Sequence, residues 1–318
     1  MADPVRHDSS RLRLAACLGE GSRRNVNSAA STPPHLKQAP WDAPPLLAIL
    51  FFHLGALGAF VPAFFSWNAV LVAGILHITG GLGVTLGFHR LLTHRSLRVP
   101  RFVEYFLAIL GATAMQGGVI DWVASHRKHH AYTDREGDPH SIRNGFQWAH
   151  MDWLYRPNKA LVKTPDFARW VPDLVQDPFY RRLDRSSSQI AIQALLALVL
   201  FFIGGWSFVI WGIFVRVVAT WHTTWLVNSA SHTYGYQTFH SNDCSTNCWW
   251  VGWLALGEGW HNNHHAFPFS ARHGLQWFEI DATWTAIRAL EILGIATHVK
   301  VPTPEMLKKL RLESRSIP

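Results

Sequence analysis

Four long apolar runs, set between polar segments, frame the chain. Leu46 to Phe65 and Asn68 to Phe88 each match the ~20 residues that a bilayer-spanning helix needs, and only Ser66 and Trp67 separate them. Gln189 to Gly205 and Trp206 to Val227 repeat the arrangement, turning near Gly204-Gly205. Each pair predicts a tight antiparallel hairpin. Four crossings in two hairpins leave both chain ends, and every polar segment between the hairpins, on one side.

A further apolar stretch, Phe102 to Gly118, is shorter and carries Glu104 early. A crossing there would put the polar segments before and after it on opposite faces, so an interfacial or protein-buried helix is expected. Residues 131–188 are rich in charge and read as a soluble part of the fold. Residues 1–40 are polar, with Ser, Pro and Arg and few acids. They predict a disordered N-terminal tail, with an organelle transit peptide as the alternative. The reading is therefore all-α: an integral-membrane domain over 41–300 with a cytosolic helical cap, and a basic C-terminal tail over 301–318.

Composition narrows the partners. The net charge is +8 and only 16% of residues are charged. With long apolar runs present, that balance suits anionic headgroups or an acidic electron-donor protein; no nucleic-acid-binding motif appears. Arg90, Arg95, Arg98 and Arg101 cluster where the second run ends, as they would where a helix leaves the bilayer on its cytoplasmic side. No P-loop, dinucleotide fingerprint or nucleophile elbow is present.

Histidine carries the chemistry. There are 19 His and 3 Cys, which favours nitrogen over thiolate ligation. Cys17, Cys244 and Cys248 form no CxxC pair, although Cys244 and Cys248 leave a mixed cysteine–histidine site as an alternative. The stretch GEGWHNNHHAF, Gly257 to Phe267, places His261, His264 and His265 at i, i+3 and i+4, on one face of a helix. A histidine-rich surface turn is the alternative. The same spacing recurs in His126, His129 and His130. His89 and His94 are i, i+5, about 140° apart on an α-helix, so both reach one metal only if the helix ends between them. Asn228 and His232 are i, i+4 at the end of the last run. His53, His77 and His222 lie inside the runs; His53 and His77 are expected to bond helix to helix and His222 to be structural, and His140 and His150 are expected to be structural supports. Nine clustered imidazoles exceed what one four-coordinate zinc takes. They suit two metals of higher coordination number, iron first, with zinc or copper as alternatives. Asp121, Asp134, Asp138 and Glu258 are candidates to orient imidazoles through the other ring nitrogen. Two irons beside a membrane suit O₂ chemistry on an apolar substrate, because an unactivated methylene offers no handle to acid–base or nucleophilic catalysis.

The ordered motifs GVTLGFHRLLTHRS, HRKHH with the following DPH, TTWLVNSASH and GEGWHNNHHAFPFSARHG resemble those of the membrane fatty-acid desaturases. The likeness is to the delta-9 acyl-CoA or acyl-lipid type of the bacterial and cyanobacterial branch, over about residues 45–300. It implies a four-helix membrane stalk under a cytosolic cap, a non-haem di-iron centre and a kinked acyl tunnel. O₂ and two electrons then leave a cis double bond at carbons 9 and 10. The resemblance assigns His89, His94, His126, His129, His130, His232, His261, His264 and His265 as iron ligands, with Asn228 reaching a metal through water. It places the protein in a cell, thylakoid, ER or plastid membrane with the site on the cytoplasmic or stromal side. The substrate is an acyl-CoA or a lipid-bound acyl chain. Some relatives carry a fused cytochrome b5-type domain; no haem motif appears here, so a separate donor is expected, ferredoxin first and cytochrome b5 as the alternative. A related histidine-box hydroxylase or ketolase shares the ligands. A metal transporter would place its ligands at mid-membrane, and a haem-binding membrane subunit would place paired histidines inside its helices.

Overall fold

The computed structural model describes residues 41–156, 158–161 and 166–312; the expected N-terminal tail, 1–40, lies outside the described residues. Those described are helical, joined only by isolated bridges such as Arg98 with Thr297 and Asn247 with Trp260. Helix α1 (Ala43–Ala56) runs into short 3₁₀ turns that end at Phe64. Ser66 caps α2 (Trp67–Leu82), its Oγ accepting from the Ala69 amide at 3.1 Å. The second apolar run then continues without a break as a π-helix, Gly83–Thr93.

Three helical segments are long and apolar enough to cross a membrane: Ala43–Phe60, Trp67–Thr93 and Ser186–His232. Their outward faces carry Leu47, Phe51, Leu54, Leu71, Ile75, Leu198 and Phe202, all exposed. Such faces suit hydrocarbon, where the helix satisfies its own backbone polar groups. The third segment spans 47 residues, where the hydrophobic pattern predicts two runs. It is bent inside α5 (Ser186–Val209), at Gly204 (φ −146°, ψ 17°) and Gly205 (φ 64°, ψ −156°). The latter is a backbone state essentially reserved for glycine. Leu200 fills the space over Gly212, where a Cβ would lie 2.7 Å from its Cδ1, and Leu200, Val209 and Ile213 share one buried cluster.

Helix α3 (Arg101–Ala112) lies across the π-helix. Gly83 and Gly111 let the two backbones meet, since a Cβ on Gly83 would fall 2.1 Å from the Gly111 nitrogen. Phe102, Phe106 and Ile109 face outward, and Leu107, Ala108 and Gly111 face the protein. Helix α4 (Val119–Tyr132) follows, then short helical turns up to Leu183. The remaining elements are α6 (Arg216–Ser229), α7 (Trp249–Leu254), α8 (His261–Ala266), α9 (Ala282–Ile292) and α10 (Pro304–Leu310). Part of the basic C-terminal segment is thus helical, and Leu312 donates its amide to the Thr238 carbonyl at 3.0 Å.

Polar groups inside the apolar segments are paired, as their desolvation requires. His53 Nε2 meets His222 Nε2 at 3.0 Å, His222 Nδ1 meets His150 Nε2 at 2.9 Å, and His150 Nδ1 meets Ser229 Oγ at 3.0 Å. His77 Nδ1 meets Thr220 Oγ1 at 2.9 Å. These are the expected helix-to-helix bonds, and they make His150 and His222 structural. Arg216 is buried and donates to the Gly212 carbonyl at 2.9 Å and to Gln193 at 3.2 Å.

Candidate metal centre

The histidine segments meet past the inner ends of the apolar helices. His89 and His94 converge where the helix ends, with Thr93 its last residue and His94 its C-cap. The π-helix bonds i to i+5, the His94 amide donates to the His89 carbonyl at 3.1 Å, and the two ring centroids stand 4.8 Å apart. The expected helix end is there, and the wider π turn that precedes it stacks residues five apart.

The nine clustered histidines form two groups. His89, His94, His126, His130 and His264 each bring one ring nitrogen within 4.8 Å of the others, and His129, His232, His261 and His265 form a second such set. The two HxxHH triplets therefore do not each converge on one point, as their shared face suggested. In each triplet the i, i+4 pair goes to one group and the residue at i+3 crosses to the other. His126 and His130 join His264, while His261 and His265 join His129. Residues i and i+4 differ by about 40° around a helix and i+3 falls about 60° to the other side, so one turn serves two points.

The nitrogens face one another closely. His89 Nε2 is 3.1 Å from His264 Nε2, which is 2.9 Å from His130 Nε2. His126 and His130, and His261 and His265, pair at 3.1 Å. Ligands held about 2.1 Å from one ion stand about 3.0 Å apart at right angles and about 3.4 Å apart in a tetrahedron, so the spacing fits more than four ligands per ion. The Nε2 atoms of His94, His129 and His232 are buried with no hydrogen-bond partner, a cost that a cation would remove. Burial, reinforced by neighbouring imidazoles, pushes His94, His126, His129, His130, His261 and His264 well below the usual histidine range. They are neutral at pH 7 with lone pairs free to ligate. Neither Cys244 nor Cys248 belongs to a metal-capable group among the described residues.

Carboxylates hold the opposite ring nitrogens. Glu258 Oε2 lies 2.6 Å from His89 Nδ1, Asp138 Oδ1 2.9 Å from His129 Nδ1, and Asp134 Oδ2 3.1 Å from His232 Nδ1. Such bonds set the tautomer and the ring orientation. Asp121 lies in the first turn of α4, its amide bonded to Asp184 Oδ1 at 3.2 Å. Asp243, absent from the sequence-based candidates, takes the corresponding role at His265 Nδ1, 2.8 Å away. No local spacing marks it, since it reaches the site from a loop. His140 packs its ring 4.2 Å from that of His129 and stays a support.

His273 was also missed, although it sits inside the GEGWHNNHHAFPFSARHG motif. It is buried, with Nδ1 3.3 Å from Glu258 Oε2 and its ring 4.4 Å from that of His264. Behind Glu258 the buried Arg90 donates to Glu258 Oε1 at 2.9 Å and to both Asp281 oxygens at 2.9 and 3.0 Å. Burial opposes ionisation of Glu258, but Arg90, His89 and His273 hold its carboxyl well below the usual range. Burial pushes Asp138 up to about 7; a cation on the far side of His129 would favour its ionised form.

An open cavity meets this cluster. Its lining runs from His89, His126, His261 and Asn228 to Val84, Val227, Leu254 and Leu256, with His77 and Thr220 at a distance from the histidine groups along the helices. It is a largely apolar pocket that ends on a ring of imidazoles.

Residues 62–294 match the family model described as fatty acid desaturase. The chain is 54% identical over 256 residues to an sn-1 stearoyl-lipid 9-desaturase of Anabaena variabilis, covering 80% of this chain and 92% of the relative. It is 51% identical over 265 residues to an sn-1 stearoyl-lipid 9-desaturase of Synechocystis sp., covering 81% of each. It is 46% identical over 256 residues to an sn-2 palmitoyl-lipid 9-desaturase of Nostoc sp., covering 80% of this chain and 88% of the relative. With the apolar spans and the paired histidine groups, these similarities establish that the chain belongs to the fatty acid desaturase family, the membrane enzymes that place double bonds in fatty acyl chains.

Proposed function

We propose that this protein is an acyl-lipid delta-9 desaturase with two non-haem irons. The two histidine groups carry the reading: nine imidazoles converge in a set of five and a set of four at the end of an apolar cavity. His89, His94, His126, His130 and His264 would hold one iron. His129, His232, His261 and His265 would hold the other, with Asn228 reaching a metal through water. When bound, the irons would supply O₂ activation, the oxidising power that an unactivated methylene pair requires.

The residues themselves bind, orient and shield. Val84, Val227 and Leu256 would hold the acyl chain in register with the imidazoles. Glu258, Asp134, Asp138 and Asp243 fix the ring tautomers, so each histidine they hold presents a lone pair inward. Burial of the site keeps bulk water away, which protects a reactive centre. The relatives' names supply the 9 position and the lipid-bound acyl substrate.

The bend at Gly204-Gly205 and the arms that fold back from it support four crossings in two hairpins. The hairpin turns, 61–66 and 204–206, hold no Lys or Arg, while Arg90, Arg95, Arg98 and Arg101 cluster at the other end of the second run. By the positive-inside rule the metal centre then faces the cytoplasm or stroma. Electrons would come from a separate protein, ferredoxin in the first place and cytochrome b5 as the alternative. The test is expression in a host that supplies a donor and its reductase. Lipids should gain delta-9 monounsaturated chains, and His129→Ala or His264→Ala should abolish the gain while the protein still inserts. Activity surviving both changes would refute the assignment.

A further inference from the structure

We propose that α7 and the neighbouring 277–280 segment form a second membrane contact, and that substrate lipid enters the cavity sideways from the bilayer between α7 and α2. The inference rests on the desaturase reading and concerns the route to the same site.

Three observations carry it. First, the cap exposes a contiguous apolar patch: Trp249, Trp253 and Leu254 on α7, and Trp277, Phe278 and Ile280 beside it. Trp260 joins the two parts. Its ring packs over Gly252, where a Cβ would lie 2.9 Å from Cε2, and its indole N–H donates to the Ile280 carbonyl at 2.7 Å. Trp277 is 92% exposed, which for a water-facing side chain of that size would be a large unfavourable surface. Second, the patch continues an apolar span. Leu256 Cδ1 stands where a Cβ on Gly81 would approach to 2.9 Å, and the Leu254 backbone faces the His77 ring. Gly81 and His77 belong to the last turns of α2, whose outward residues Leu71, Ile75 and Ile78 are exposed. Helix α7 is therefore docked against the last turns of α2, and the proposal sets its tryptophans at the interface, the level at which tryptophan concentrates.

Third, the wall between patch and cavity is thin. Leu254 lines the cavity and is 47% exposed on the outer face. Leu256 also lines it, with a left-handed backbone at φ 55°, a conformation uncommon for a leucine. Leu256 covers Gly81, which brings no side chain of its own, so a lipid whose headgroup stays at the interface passes its acyl chain between α7 and α2 once the Leu256 side chain swings aside. The same chain segment then continues to Glu258, whose amide donates to the Ala255 carbonyl at 3.1 Å. The occupant is thus a glycerolipid held in the membrane, not a soluble thioester arriving from water.

The experiment uses the iron-loaded, full-length protein in vesicles of dioleoyl phosphatidylglycerol, with a stearoyl-bearing phosphatidylglycerol diluted into the surface, and ferredoxin kept reduced by its reductase and NADPH in air-saturated buffer. A photoactivatable diazirine analogue of the stearoyl lipid should cross-link to the α7 and α2 segments, and excess stearoyl lipid should suppress those adducts more than adducts elsewhere. Trp249→Ser with Trp253→Ser should raise the half-saturating surface fraction about fivefold, with metal content per chain equal to that of the wild type, and Trp249→Phe with Trp253→Phe should restore it. Cross-links spread evenly over all spans, or an unmoved half-saturation in the serine variant, would overturn the proposal. So would a change in particle mass in the serine variant with lipid contact unmoved, which would assign the patch to a second copy of the chain. A wild-type protein that forms no unsaturated product would instead sink the desaturase assignment, while the cross-linking arm, which needs no turnover, would still decide the route.

Discussion

Glu258 grips His89 at 2.6 Å with one carboxylate oxygen and Arg90 at 2.9 Å with the other. A carboxylate shared in this way orients an imidazole and neutralises a buried guanidinium at once. Glu258→Gln keeps the shape but loses the charge, and metal affinity should fall about 10- to 100-fold, read by titrating the metal-free protein with Fe²⁺. Glu258→Ala leaves Arg90 with Asp281 and the Ala271 carbonyl, and should cost about 3 kcal/mol of stability, read by thermal unfolding in detergent. An Ala variant as stable as the Gln variant would show that Arg90 is held without Glu258.

The division of each HxxHH triplet between two groups predicts a division in metal content. His130→Ala removes a nitrogen from the first group only, and His265→Ala from the second only. Each should lose mainly one ion, taking the bound metal from about two per chain towards one, since a structural or catalytic site tolerates few missing ligands. Metal analysis of the purified variants checks this. Equal loss of both ions in both variants would mean that the groups act as a single site.

Asp173 ties Arg127, on the ligand-bearing α4, to Arg95 beside His94; Asp173 Oδ1 accepts from Arg127 Nη1 at 2.9 Å. Burial opposes its ionisation, but the two arginines bring its carboxyl down to about 2, from an ordinary 3.8. The folded state therefore binds this proton more weakly than the unfolded state. The contribution is complete above pH 3.8 and fades as pH falls through about 2. The pair is half-exposed, so Asp173→Asn should cost only about 1 kcal/mol at pH 7 after solvent screening. The difference from wild type should shrink in acid, and melting curves at pH 7 and pH 3 would show it. A difference that grows in acid would contradict the sign.

Gly205, at φ 64° and ψ −156°, sits where no L side chain is comfortable. Gly205→Ala should destabilise the protein by about 2 kcal/mol through backbone strain, although nothing lies within 4 Å of the position a Cβ would take. Gly204→Ala meets a steric obstacle instead, with the Phe208 ring 2.2 Å from its Cβ. Larger cosolvent or lipid stabilisation does not relieve strain, so the deficit of the Gly205→Ala variant should persist across detergents. Unfolding midpoints of both variants in two detergents test this.

Much of the molecule was legible in the chain itself. Run length and spacing set the apolar helices, since the hydrocarbon thickness of a bilayer prescribes about 20 residues per crossing. The bend at Gly204-Gly205 was marked by its glycines, and the nine histidines by their local spacing. His53 and His77 were expected to pair across helices because unpaired polar groups are costly in hydrocarbon.

What only the tertiary structure decided is how these parts face one another. Local spacing states that His126, His129 and His130 share a side of α4, but which of them joins His264 and which joins His232 depends on where other helices stop. The π-turn that brings His94 to His89 is a matter of packing against α3, where Gly83 and Gly111 touch. Asp243 reaches the site from a loop, and Arg90 and His273, close to ligands in sequence, meet Glu258 only through the fold. A pattern of period 3.6 encodes a direction around one helix. Convergence of several helices on two points is a long-range property, determined by the burial of all their faces together.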